Sequence, residues 1–226
     1  MFKKVAYSLA IILVCYLAQP MMPQASATVW SDAYGSACQI RGAAGFVVGE
    51  GSKDYFIMTA GHVVREDDSV HKKIWGYFHS SGKRSPVFWP THIWSINKTN
   101  IDTGLYDDLA ILSISKEWFI RNRVRAPHVL RLLDRRARVV VNTPFITFGA
   151  PGQWLTGYSG QVFNAEHRNF FIVNPTPLVG RSGSAIVNYD SNVIGIVLNT
   201  NGACISSNRI YDLLGVAKLG NSKWAK

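Results

Sequence analysis

Three residues in this chain stand where general-base and nucleophilic chemistry could be done. His62 follows the apolar run Phe56-Ile57-Met58 and the small residues Thr59-Ala60-Gly61, so a strand ends and the backbone turns at the imidazole. With an unperturbed pKa near ~6.5, such a ring takes and returns a proton at working pH. Asp108 stands directly before Leu109-Ala110-Ile111-Leu112. A carboxylate at the entrance of a buried strand needs a donor, and an imidazole N–H is a suitable one. Asp107, one step further from the apolar run, reads as a solvated turn residue. Ser182 lies in Gly180-Arg181-Ser182-Gly183-Ser184, where flanking glycines permit a tight turn. Such a turn exposes the hydroxyl and aims the N–H groups of Gly180 and Ser182 at a carbonyl oxygen, as an oxyanion hole does. Each signal alone also describes an ordinary histidine, a loop carboxylate or a Gly/Ser turn. In the order His, Asp, Ser they make a base, the carboxylate that orients it and a nucleophile.

The elements that must position these residues read as strands. Short runs rich in Val, Ile, Phe, Tyr and Trp recur between Gly, Pro, Asn and Ser clusters, the pattern of an all-β barrel or sandwich. Strands are expected near Gly45-Val48, Tyr55-Thr59, Ile74-Phe78, Val87-Trp94, Leu109-Ile114 and Val139-Val141, then Phe145-Phe148, Trp154-Phe163, Phe170-Val173, Ala185-Asn188 and Val193-Leu198. Two short helices are expected, over Lys116-Asn122 and Asn208-Lys218; in the second, Ile210, Leu213 and Leu214 share a face. No internal repeat or low-complexity linker is present. The Arg-rich stretch from Arg121 to Arg138 separates two groups of strands and reads as the solvated connection between them. Its charge density also suits an anionic surface or polymer.

The first 27 residues read as an export address, with Lys3 and Lys4, an apolar run from Val5 to Ala18 and the small-x-small pattern Ala25-Ser26-Ala27. The apolar run is shorter than the ~20 residues that span a bilayer, so cleavage after Ala27 is expected, with no membrane span in the processed chain from Thr28. The product is expected to be secreted or periplasmic. Formal net charge is +10 and falls by two with the leader, which favours acidic partners without naming one. Of three cysteines, Cys38 and Cys204 follow the leader. An even pair in an oxidising compartment is expected to be bridged, the alternative being two buried free thiols. No His/Cys cluster with zinc-ligand spacing competes with the base-and-nucleophile reading, which itself needs no metal or organic cofactor.

Thr59-Ala60-Gly61-His62, Asp108-Leu109-Ala110-Ile111-Leu112 and Gly180-Arg181-Ser182-Gly183-Ser184 resemble the His, Asp and Ser motifs of chymotrypsin-like serine proteases, and Val193-Ile194-Gly195-Ile196-Val197 resembles the strand that follows. The resemblance runs from about Ala44 to Leu198. Its Ser-Gly-Ser form is similar to secreted bacterial members, including the glutamyl endopeptidases and the protease domain of the high-temperature-requirement group. The stretch after Ser182 is too short for the peptide-binding module of the latter, so regulation through one is not expected. The resemblance implies two six-stranded antiparallel barrels, at about 28–120 and 139–226, with a short C-terminal helix. It also implies a secreted endopeptidase that cleaves polypeptides in the cleft between the barrels through His62, Asp108 and Ser182. A catalytically silent binding protein on the same fold, engaging anionic surfaces through the Arg-rich segment, is the alternative.

The resemblance places Thr176, Leu198, Asn199 and Thr200 at the specificity pocket. Thr176 stands where trypsin-type members keep an Asp, so cleavage after Lys or Arg is not supported. Val197 stands where the glutamate-selective branch has a His, which leaves a small or apolar side chain as the default. The disulfide that bridges this pocket in mammalian members has no counterpart at Leu178, so Cys204 must find Cys38 or stay free. Thr28 does not match the Ile or Val terminus that digestive members require, so the enzyme is active as secreted or is trimmed to Val29.

Overall fold

The computed structural model describes residues 24–216 apart from 67, 68, 72, 81, 82, 101–104 and 153. Nearly all of the expected leader, and the last residues of the expected final helix, lie outside the described residues. The first described element is a helix, Ala27–Ser36, whose Ser26 cap accepts a hydrogen bond from Val29 N–H at 3.3 Å. It buries Val29, Ala33 and Ser36. The Ser36 hydroxyl both donates to Val47 O and accepts from Val47 N–H, each at 3.0 Å. No element was expected over this region, whose apolar stripe is short.

In chain order the first group of strands is β1 (Ala37–Ile40), β2 (Ala43–Glu50), β3 (Asp54–Thr59), β4 (Arg65–Glu66), β5 (Ser69–Val70), β6 (Gly76–Ser80), β7 (Lys83–Arg84), β8 (His92–Asn100) and β9 (Leu105–Ser115). Seven of them form one sheet in the order β7-β6-β1-β2-β3-β9-β8, and β4 with β5 forms a separate ribbon. This sheet is open, which corrects the expectation of a barrel here. Val87-Trp94, expected as one continuous strand, is interrupted by Pro90, which has no N–H to donate. Phe88 therefore makes a single bridge to Gly76, and strand structure resumes only at His92.

The second group is β10 (Arg131–Leu132), β11 (Pro144–Gly149), β12 (Thr156–His167), β13 (Phe170–Asn174), β14 (Ala185–Asn188), β15 (Asn192–Val197) and β16 (Ala203–Ser206). The order β15-β14-β11-β12-β13-β16 returns to β15 through an added β15–β16 pairing, so six strands close a barrel. β10 attaches to β15 in parallel at the rim. The expected strand Val139-Val141 is irregular, and Val140 and Val141 are exposed. Its valines suggest a strand by type, but they have no facing partner to pack on.

One apolar cluster runs through both halves, from Phe46, Ile57 and Leu112 to Ile146, Ile196 and Leu213. A smaller one fills the closed barrel with Phe145, Val162, Phe171, Ile186 and Val197. The short helix Lys116–Arg121 and the final helix Ser207–Val216 are where expected, and Ile210, Leu213 and Leu214 are buried together. No described helix is long and apolar enough to cross a membrane.

The expected bridge between Cys38 and Cys204 is not formed. Cys38 belongs to β1, opposite Gly45 and Phe78. Cys204 belongs to β16, inside the closed barrel, opposite Phe171 and Val197. Each fills a fully buried apolar site as a small hydrophobe, and burial pushes both thiols well above the usual range. Alkylation in denaturant without reductant should therefore modify both cysteines completely, and reductant should leave Tm unchanged. A disulfide-linked peptide joining them in a non-reducing digest would overturn this.

Candidate active site

The register of two strands brings His62 to Asp108. β3 pairs antiparallel with β9 so that Thr59, its last residue, faces Ala110. The chain leaving β3 therefore turns directly over Leu109 and Asp108. The turn is a four-residue helix, Gly61–Val64, that carries the imidazole. Gly61 is required by close approach: a Cβ there would come within 2.2 Å of Ile96 O and 2.8 Å of Asp108 Oδ1.

Asp108 is 4 % exposed and is engaged on both oxygens. Its Oδ1 accepts the His62 backbone N–H at 2.7 Å, and its Oδ2 lies 2.6 Å from His62 Nδ1. That second contact assigns the ring proton to Nδ1 and leaves Nε2 as the basic nitrogen facing the cleft. The hydrogen bond to Asp108 raises the His62 pKa above its ordinary value; burial opposes the rise, and the Asp108 charge adds to it.

Ser182 sits on the turn between β13 and β14, and that turn is pressed against the His62 strand. Ala44 N–H donates to Ser182 O at 2.9 Å, and Gly183 N–H donates to Val197 O at 2.8 Å. At Gly183, φ is +83° and a Cβ would lie 2.1 Å from Thr59 Oγ1 and 2.2 Å from Ala44 O. The Ser182 hydroxyl donates to Leu198 O at 3.1 Å. Among the described residues no hydrogen bond joins it to His62, although both line one cleft. The N–H groups of Gly180 and Ser182 have no acceptor among the described residues, whereas Arg181 N–H between them closes the turn to Leu178 O at 3.2 Å. Two unengaged donors beside a serine hydroxyl are what an oxyanion requires.

The cleft has a volume of about 820 Å³ and is lined by His62, Asp108, Gly180, Ser182, Leu198, Asn199 and Thr200, all of them expected. Thr176 is not part of it. It is exposed on the segment Pro175-Thr176-Pro177, where Pro177 is the buried member. Counting back from Ser182 reaches the right loop but not the side chain that faces inward. The far wall, with Asn164, Glu166, His167, Phe170 and Ile172, was not anticipated. It belongs to the β12–β13 hairpin, whose pairing shifts register between Val162 and Asn164 and again between Asn164 and His167. Such bulges re-aim side chains, and alternation along a sequence does not reveal them.

Asp107 corrects a second expectation. It is 8 % exposed, and it is clamped by Arg209 of the final helix, Nε to Oδ1 at 2.8 Å and Nη2 to Oδ2 at 2.6 Å. An acidic doublet before an apolar strand, with an arginine at the head of the last amphipathic helix, was the available signal. No group of three or more His, Cys, Asp or Glu able to hold a metal occurs among the described residues.

The profile of the trypsin-like peptidase domain matches residues 43–196. No curated protein matches. Among solved structures, a Glu endopeptidase in complex with MPD superposes with a TM-score of 0.63 at 17% identity, covering 88% of this chain and 96% of that one. A serine endoprotease from Yersinia pestis superposes at 0.59 and 17%, covering 88% and 68%. An inactivated protease paralogue of the scabies mite superposes at 0.60 and 10%, covering 89% and 98%. At these identities the likeness speaks for the fold alone.

Removing Arg209 leaves the Asp107 charge buried and unpaired, a change that costs about 3 kcal/mol in such pairs. Denaturant unfolding of Arg209→Ala should show that loss. The double variant Asp107→Asn/Arg209→Met should recover much of it. Equal midpoints for wild type and Arg209→Ala would refute a structural role for the pair.

Proposed function

Because the chain belongs to the trypsin-like peptidase family and has a chymotrypsin-like fold, we propose that it is a serine endopeptidase acting on polypeptides through an acyl-enzyme. The observation that carries the proposal is the doubly hydrogen-bonded Asp108–His62 pair, which shares one cleft with Ser182 and the free N–H groups of Gly180 and Ser182. Ser182 Oγ turns from Leu198 O toward His62 and attacks the scissile carbonyl while Nε2 takes its proton. The new C–O bond places negative charge on the carbonyl oxygen, which the two N–H groups receive. The C–N bond then breaks as His62 returns the proton to the leaving amine. Water repeats the sequence on the ester and releases Ser182. Asp108 orients the ring and stabilises the imidazolium each time it forms. No metal or organic cofactor enters the mechanism.

The wall of Phe170, Phe171, Ile172, Leu198 and Ala203 supports a small or apolar side chain at the cleavage site, with Asn199 and Thr200 at the exposed lip. The leader composition supports an exported protein, secreted or periplasmic.

A second reading is favoured by the resting bond from Ser182 to Leu198 O: a silent member of the fold that binds rather than cleaves. Arg121, Arg123, Arg125, Arg131, Arg135, Arg136 and Arg138 are all exposed, which supports an anionic surface or polymer as its partner. Binding that falls steeply with salt and is indifferent to Ser182→Ala would favour it.

A phosphofluoridate probe should label wild type and not Ser182→Ala; an unlabelled, well-folded wild type would sink the peptidase reading. Asp108→Asn should lower kcat by roughly 10⁴-fold, because the ring loses its tautomer. The base must be neutral, so kcat/KM should rise with pH through a midpoint above the usual histidine value of ~6.5. Stability from the His62–Asp108 pair has the opposite sign: it is full below the unfolded histidine pKa and is lost as pH rises through the raised folded one. A midpoint at or below the ordinary value would contradict the pairing.

A further inference from the structure

Arg181 separates Gly180 and Ser182, which line the cleft and whose N–H groups have no acceptor among the described residues, yet Arg181 itself is not part of the lining. The residue is 4 % exposed. Nη1 donates to Thr156 O at 2.9 Å and Nη2 to Thr156 Oγ1 at 2.7 Å. The guanidinium carbon lies 4.4 Å from the Tyr158 ring centroid. None of these partners carries a charge, and no ion pair to Arg181 occurs among the described residues. Burying a cation against neutral groups is a poor way to gain stability, since an apolar side chain of similar volume commonly does as well or better. The surroundings are also under-satisfied. Arg181 Nε, Tyr158 OH, Ser184 Oγ and Thr147 Oγ1 are all buried without a partner among the described residues, and Thr147 faces Tyr158 across β11 and β12. Unpaired buried polar groups of this kind call for an explanation beyond packing.

What the arrangement does achieve is geometric. Thr156 and Tyr158 both belong to β12, the strand whose far end supplies Asn164, Glu166 and His167 to the cleft. A planar guanidinium holds two fixed bonds and a ring face at once, which an ammonium or an alkyl chain cannot do. We propose that Arg181 is a positioning residue: it clamps the nucleophile turn to β12 and so fixes where the Gly180 and Ser182 N–H groups point relative to the substrate-binding wall. The turn is thereby held from within the second barrel. The inference rests on the peptidase reading for its catalytic consequence, but the clamp itself is a property of the fold.

Two measurements separate these levels. Hydrogen exchange of the full chain should show the amides of residues 178–184 exchanging at least about tenfold faster in Arg181→Met, with those of β3 and β9 unchanged. Turnover on a peptide-library substrate should show Arg181→Met and Arg181→Lys losing about a hundredfold in kcat with KM within about threefold. A purely structural role would not produce that split. Thr156→Val, which removes only the Oγ1 acceptor, should lose less, and Thr156→Ser should restore it. If Arg181→Met does not fold, Thr156→Val and Tyr158→Leu carry both measurements. Unchanged exchange in folded variants overturns the clamp whether or not the protein cleaves peptides. Faster exchange with unchanged kcat overturns the positioning role. A wild type that neither cleaves nor labels removes the peptidase reading, and the exchange result still decides the clamp.

Discussion

The contact between the Ser182 turn and β2, the strand paired with the one that leads to His62, is made backbone to backbone, and the rest of the site depends on it. Ala44 of β2 donates to Ser182 O, Thr59 at the end of β3 donates its hydroxyl to Ala44 O at 2.6 Å, and Gly183 fits against both. Side chains can swing between rotamers; a peptide hydrogen bond with a glycine wedged beside it cannot lengthen without unpacking. The separation of the two halves at the cleft is therefore set by main-chain geometry. The apolar cluster from Phe46 to Ile196 runs through both halves, so burial favours keeping them together.

From that contact outward, β9 distributes its two carboxylates by alternation. Successive side chains of a strand point to opposite faces. Asp108 turns to His62, and Asp107 turns to Arg209 on the final helix. One strand thus ties the proton-accepting pair to the C-terminal end of the described chain, and the two ties answer different needs. Asp108 faces a half-exposed partner, as the proposed proton transfer through His62 would require. Asp107 has no such duty and is held in a bidentate pair that never has to open. A histidine facing Asp107, or an arginine facing Asp108, would exchange these roles and lose the base.

Residue types and order were enough to name three residues that line one cleft, five of the closed barrel's six strands and the final helix's buried face. Those signals are local: a strand ending in small residues, a doublet before an apolar run, glycines around a serine. What escaped is what depends on partners distant in sequence. Val87-Trp94 looks like a strand until Pro90 is asked which hydrogen bond it can make. Cys38 and Cys204 look like a pair until β1 and β16 place them in separate apolar interiors. Thr176 is at the right count and the wrong face, and Asp107 was given to solvent because Arg209 lies so far along the chain. The β12–β13 wall was hidden by two bulges that no periodicity announces.

The orientation of Ser182 decides how much the resting structure says about activity, and magnitudes settle its weight. A hydroxyl-to-carbonyl bond such as Ser182 Oγ to Leu198 O contributes about 1 kcal/mol net. Breaking it to face His62 therefore costs a factor of about ten or less in the population of the reactive rotamer. Losing a nucleophile or base from a working triad costs roughly 10⁶-fold, and losing one oxyanion donor costs ~3 kcal/mol. The rotamer is the smallest of these quantities, whereas in the proposed mechanism the Asp108–His62 pair and the two N–H groups without an acceptor among the described residues bear on the larger ones. The same scale explains why Arg181 matters more than its distance from the cleft suggests. A turn that is loose by an ångström forfeits the donors' alignment, and alignment, unlike a side-chain rotamer, is not recovered by a single bond rotation.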